Sequence, residues 1–261
     1  MIKKIQIELS LFILLLISVL FTNKFDLWVN SLFTKFNYGV GSAYLKDFFI
    51  GITDLGDSLW YFLFFALLFF SSYFIKTLNI IDKEKYFYLK KFSIFSFSYL
   101  LLVGLITQLI KHLVGRPRPN HSQLDGSFEF NFFSTESSFH SFPSGHSSTI
   151  IVITIIMALT IPNLRYFFYF FGFLIALSRV VVGAHFLTDV IGGVIIAISV
   201  YKIFDYFIKI NYPNVYWGSL KISQNSMVTN VLIIFFILAA FVTVGPSLDL
   251  YISSLFYYGD K

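Results

Sequence analysis

Cysteine is absent from all 261 residues. That excludes disulfides, a thiol nucleophile and thiolate-held metals, and it leaves cysteine silent about compartment. Charge is scarce too: 13% of the residues are Asp, Glu, Lys or Arg, against about 25% in a soluble domain. No low-complexity linker separates two halves, so residues 1–261 read as one domain. What fills the chain instead is apolar: 57% of it is hydrophobic, with 35 phenylalanines, and the mean hydropathy is +0.76. These values indicate a membrane protein before any motif is considered. The net charge of +5 then reports topology and gives no reason to expect a nucleic-acid partner.

A membrane-spanning helix needs about 20 mostly apolar residues. Seven stretches are candidates: Ile5–Phe21, Ser58–Ile75, Phe92–Ile110, Ser147–Ile161, Tyr166–Val182, Val190–Ile208 and Met227–Val244. They predict an all-α, polytopic transmembrane helix bundle. The first is short, carries Glu8 and follows Lys3-Lys4 as a signal peptide does. Thr22-Asn23-Lys24 after it lacks the small residues of a cleavage site, so an uncleaved anchor is expected. With the N-terminus in the cytoplasm, 11 of the 19 basic residues fall inside, the Lys83–Lys91 cluster among them. Four of the eight outside (Lys111, Arg116, Arg118 and Arg179) belong to the motifs below. That orientation puts two polar stretches on one outer face, Lys111 to His146 and Val180 to Asp189. A short repeat also stands out. Phe25–Phe33 (FDLWVNSLF) and Leu248–Phe256 (LDLYISSLF) are identical at five of nine positions. They read as two interfacial segments, or as the start of a lost second copy.

Three stretches carry the chemistry. In Lys111–Pro119 (KHLVGRPRP), three cations lie within eight residues and two prolines stiffen the backbone. Clustered, stiffly held cations suit a phosphate dianion, and Arg presents a planar fork of donors. Lys111 alone also reads as a snorkelling anchor. In Phe142–Thr149 (FPSGHSST), Ser144 can be a simple helix cap. A helix N-terminus also offers free N–H groups to an anion, with Gly145 permitting close approach. His146 would stand beside that anion as a proton donor. In Ser178–Asp189 (SRVVVGAHFLTD), Arg179 ends an apolar run, where a charge is costly and functional by default. His185 and Asp189 are four apart and would share one helix face. A carboxylate on one ring nitrogen would leave the other free to attack. The same pair also reads as a buried histidine with its satisfying partner.

Taken together, Lys111 with Arg118-Pro119, Pro143-Ser144-Gly145-His146, and Ser178-Arg179 with His185 and Asp189 resemble the signature of the type 2 phosphatidic acid phosphatase family. Every position matches, in the right order, over about residues 100–207. The resemblance implies a six-span phosphatase core, its catalytic part about residues 92–208, to which the seventh, C-terminal span is additional. It implies that His185 attacks phosphorus, Asp189 orients it, and His146 protonates the leaving oxygen and then activates water. Lys111, Arg118, Arg179, Ser144 and the Gly145 backbone would hold the phosphate oxygens. No metal and no cofactor are required. Arg116 lies outside the pattern and adds charge. His112, His121 and His140 read as loop residues, and Phe128–Phe133 as a lipid-facing mouth or as a segment that dips into the interface. The expected partner is a lipid phosphate: phosphatidic acid, phosphatidylglycerophosphate, undecaprenyl diphosphate or a lipid A phosphate. Transfer of phosphate to a second lipid is the alternative reaction. The Lys-, Phe- and Ile-rich composition suggests a bacterial inner membrane with the site facing the periplasm.

Overall fold

The structure is a computed structural model that describes residues 10, 23–37, 42–78, 81, 83–121, 129–211, 229–240 and 242–243. The described residues are helical with short turns and contain no strand. Two amphipathic helices come first, α1 (Asn23–Asn37) and α2 (Ser42–Thr53). Next are α3 (Ser58–Thr77), α4 (Lys83–Val114), α5 (Gly145–Thr160), α6 (Arg165–Val181) and α7 (Leu187–Asn211), followed by α8 (Thr229–Ala240). The expected first span and the second copy of the repeat lie outside the described residues.

Helices α3, α4, α6 and α7 are each long and apolar enough to cross a membrane, and the molecule is a multi-pass membrane protein. Helix α4 starts at Lys83, well before the expected Phe92, because lysines are good helix formers that an apolarity criterion does not see. Asp57 starts α3 by accepting the Leu59 N–H, 2.9 Å, a normal N-cap.

Helix α5 is the hub. It packs against α4, α6 and α7, and eleven of its sixteen residues are buried. Such all-round burial is what an all-round apolar helix requires. Helix α3 is its opposite: only Tyr61, Phe65 and Ser72 are buried, and Leu59, Leu63, Leu67, Phe70 and Phe74 face outward, as befits a lipid-facing helix. Some buried polar groups are paired across the bundle, which is where a hydroxyl finds a partner when water is absent. Tyr99 Oη, for example, donates to the Ala197 carbonyl, 2.8 Å, tying α4 to α7.

Candidate active site

Helix α4 stops abruptly at Val114. Gly115 follows with φ +57°, the left-handed conformation that closes helices and that glycine adopts without penalty. Its N–H donates to Lys111 O, 3.0 Å. A Cβ here would lie 1.6 Å from the Asn131 carbonyl oxygen. The turn leaves Lys111 on the last helical turn and puts Arg116 and Arg118 in the segment that crosses the end of the bundle. Lys111 Nζ donates to the His140 carbonyl, 2.7 Å.

The next motif reaches the same place by a different route. Ser144 is the N-cap of α5, accepting from Ser147 N at 3.3 Å and Ser147 Oγ at 2.8 Å. Its N–H donates to Asp189 O, 2.9 Å. Helix α7 comes close enough for this because residue 193 is glycine: a Cβ there would sit 2.5 Å from Ser144 O and 3.0 Å from Ser148 N. Gly145 and His146 thus occupy the first turn of a helix, where backbone N–H groups have no intrahelical partner.

Lys111, Arg118, Gly145, His146, Arg179 and His185 line one cavity of about 480 Å³. The structure therefore brings together six of the eight expected site residues. The other two, Ser144 and Asp189, are fully buried behind it. Ser144 takes the capping role that its position also suggested. The cavity continues between α3 and α4 along Phe62, Leu100, Leu101, Gly104 and Leu105. Its polar end thus carries three cations, two imidazoles and the Asp57 carboxylate, and its other end is apolar.

His185 and Asp189 do not share a helix face, as their spacing suggested. His185 lies in the turn after α6, its N–H donating to Arg179 O at 3.1 Å, and Asp189 is in the first turn of α7. The Asp189 carboxylate reaches back to accept the Phe186 N–H, 2.8 Å, as the third helical residue does in a capping box. It stands 3.7 Å from His185 Nδ1, beyond a hydrogen bond. The Ser141 carbonyl, 2.8 Å away, occupies that nitrogen. A carbonyl only accepts, so Nδ1 carries the proton and Nε2 keeps its lone pair. Burial pushes the His185 imidazole down to about 3, against the pull of Asp189 and with Lys111 and Arg179 adding to the drop. The ring is neutral at ordinary pH.

Asp189 is held chiefly by Arg116. One Arg116 amino group, Nη1, donates to Asp189 Oδ1 at 2.5 Å and to Thr188 Oγ1 at 2.7 Å. The other, Nη2, donates to Asp26 Oδ2 of α1, 2.6 Å. Ser141 Oγ donates to Asp189 Oδ2, 2.5 Å. Arg116, Asp26 and Asp189 are fully buried, so Arg116 is a central structural ion and more than added charge. Arg179 Nη1 donates to Thr53 Oγ1, 2.9 Å, beside the Asp54–Gly56 turn that precedes α3. Burial raises the Asp54 carboxyl against the lowering pull of Arg179.

Sequence reasoning missed Asp26, Thr53, Asp57 and Ser141. None carries a motif, and all four reach the site through tertiary packing or a local turn. Of the histidines taken as loop residues, His112 is on the last turn of α4 and its ring lies 4.4 Å from that of His140. His121 ends the short Pro119–His121 turn. In the aromatic run expected to shape a mouth, Phe128 lies outside the described residues. Phe132 and Phe133 are exposed and do not line the cavity.

Residues 92–213 match the model of the PAP2 superfamily. A lipid A 1-phosphatase of Rhizobium etli is 36% identical over 146 residues, 54% of this chain and 62% of that one. The chain thus spans somewhat less than two thirds of that relative. A lipid A 1-phosphatase of Rhizobium johnstonii is 34% identical over 64% of this chain and 75% of its own length. A phosphatidylglycerophosphatase B of Bacillus subtilis is 29% identical over 72% and 86%. The crystal structure of a transmembrane PAP2-type phosphatidylglycerolphosphate phosphatase from Bacillus subtilis superposes with a TM-score of 0.55. It is 23% identical and covers 78% of this chain and 96% of its own, a likeness of fold. With the motifs gathered on one cavity and these relatives in sequence, the chain belongs to the PAP2 superfamily.

Proposed function

We propose that the protein hydrolyses a lipid phosphate through a covalent phosphohistidine on His185, at the outer face of a bacterial inner membrane. The observation that carries this is the single cavity that joins Lys111, Arg118, Arg179, His146 and His185 at one end to an apolar seam between α3 and α4 at the other. A phosphate head would sit among the cations while its tail stays in the seam, open to lipid. His185 Nε2 attacks phosphorus as the bond from phosphorus to the lipid oxygen breaks, and His146 gives its proton to that oxygen. In the second step His146 takes a proton from water, the water oxygen attacks phosphorus, and the P–N bond breaks to restore His185. The cations and the free N–H groups of the α5 N-terminus neutralise charge on the transferring group throughout. Two of the relatives act on lipid A 1-phosphate by name, so that lipid is the first to try. The outer-face placement rests on the bias of basic residues.

The test is phosphate release by purified protein in detergent, with EDTA present, from lipid A 1-phosphate, phosphatidylglycerophosphate, phosphatidic acid and undecaprenyl diphosphate. Release that survives EDTA and disappears in His185→Ala is the expected result. Release that needs a divalent metal, or that His185→Ala retains, overturns the assignment. Label appearing on a second lipid in place of free phosphate moves the reaction to phosphotransfer.

A further inference from the structure

Asp26 stands on α1, outside the three stretches that supply the expected site residues, yet it is fully buried and bonded to Arg116 and Thr188 behind His185. Its Oδ2 accepts from Arg116 Nη2 at 2.6 Å and from the Thr188 hydroxyl. Its Oδ1 accepts from Thr188 N at 3.1 Å. Arg116 holds Asp189 with its other amino group. Two carboxylates therefore share one guanidinium, and the buried group carries a net charge of −1 on these three side chains.

That surplus has a use. While His185 is neutral, the surplus is felt by the neighbouring Lys111 ammonium. Once Nε2 bonds to phosphorus with Nδ1–H retained, the imidazole becomes a cation in a site already crowded with Lys111 and Arg179. Were Arg116 committed to Asp189 alone, the pair would be neutral overall and could do little for that cation. Asp26 shares that guanidinium, so the cluster stays one charge negative with the Asp189 carboxylate 3.7 Å from the ring.

We propose that Asp26 is a positioning residue of the phosphoenzyme step: through Arg116 it keeps the Asp189 cluster net negative, and so stabilises the phosphohistidine cation. The proposal rests on the phosphohistidine reading. It predicts opposite effects on the two half-reactions. Removing the negative charge slows formation of the phosphoenzyme, because the cation forms there. It leaves breakdown unchanged or faster, because positive charge is lost there. A purely structural role would slow both.

The experiment is rapid-quench measurement with lipid labelled in its phosphate, following the acid-labile protein-bound label. In Asp26→Asn, formation should fall about 10- to 100-fold, as for partners that orient a functional histidine from behind, while breakdown does not slow. In Asp26→Asn with Arg116→Gln, the cluster is again net −1 and formation should recover to within about 10-fold of wild type. Equal slowing of both steps, no change in either, or a folded double variant as slow as the single one overturns the proposal. If Asp26→Asn does not fold, the double variant decides alone, because it removes the Asp26 and Arg116 charges together and keeps the cluster net −1. Should wild type form no bound label, the phosphohistidine reading itself has failed. Label in wild type that is indifferent to Asp26 refutes only the role given to Asp26.

Discussion

Gly104 is the position at which the proposed lipid path can be closed without touching the residues proposed for the chemistry. It lies on α4, seven residues before Lys111, which on a helix is about 10 Å. A Cβ built there meets no atom within 4 Å, and the residue lines the cavity between α3 and α4. Gly104→Leu should therefore fit without displacing the protein, and a better helix former should raise stability by up to about 1 kcal/mol. The new side chain would occupy the space of three or four methylenes of a tail. At about 0.8 kcal/mol for each buried methylene, the loss is about 2–3 kcal/mol, or roughly 30- to 150-fold in kcat/KM for a long-chain lipid phosphate. A four-carbon-chain analogue does not reach Gly104 and should be turned over as by wild type. The assay is phosphate release from the two substrates by the same preparation, with thermal unfolding as the fold control. Equal loss on both substrates would mean that the leucine disturbs the site. No loss on either would mean that the tail lies elsewhere, and the seam would no longer support the proposed function.

Further outcomes follow from the same geometry. Gly193→Ala puts a methyl against Ser144 O and Ser148 N; it should destabilise by about 1–3 kcal/mol, read as a lower Tm, and misplace the α5 N-terminus enough to reduce activity. Arg179→Lys keeps the charge but loses the fork that donates to Thr53; kcat/KM should drop about 10- to 100-fold, since a charged hydrogen bond is worth about 1.5–3 kcal/mol. An unchanged value would remove Arg179 from phosphate binding. His185 takes a proton at about 3 in the folded protein and near 6.5 when unfolded. The unfolded chain thus binds more protons between those values, and stability falls with falling pH across that window. From pH 6.5 to 5 the loss is about 2 kcal/mol. His185→Gln should show a correspondingly shallower fall of Tm on acidification, and an identical slope would mean that the imidazole is protonated in the fold.

The helices that cross the membrane were legible because one long apolar run is enough to specify each. The site was legible because its cations and histidines are chemically out of place in such a chain. The connections among them were not. The spacing of His185 and Asp189 fits a helix, yet the helix begins at Leu187, since the third-residue carboxylate caps it from within. Nothing local marks that difference. Asp26 sits in a segment whose aromatic residues read as interfacial, and Phe25 and Trp28 beside it are indeed exposed. Its own burial depends on Arg116, ninety positions away, and one sequence carries no signal for such a pairing. Ser141 reaches Asp189 and His185 in the same way.

The Arg116-Pro117-Arg118 run shows how a pattern can hold two roles at once. A residue before proline is driven to extended backbone, and in extended chain successive side chains point to opposite sides. Neighbours two apart should then face alike, yet Arg116 is buried with Asp26 and Asp189 while Arg118 lines the cavity. The run is bonded along the 138–141 segment: Ser141 N donates to Arg116 O at 3.0 Å and Arg118 N to Ser138 O at 2.9 Å. Ser141 is thereby brought beneath Arg116, where its hydroxyl meets Asp189 and its carbonyl meets His185. One arginine goes to the carboxylates and the other to the cavity. Replacing Pro117 should therefore disturb the surroundings of His185 as much as those of Arg118, read as a comparable loss of phosphate release in Pro117→Ala with the fold intact by thermal unfolding.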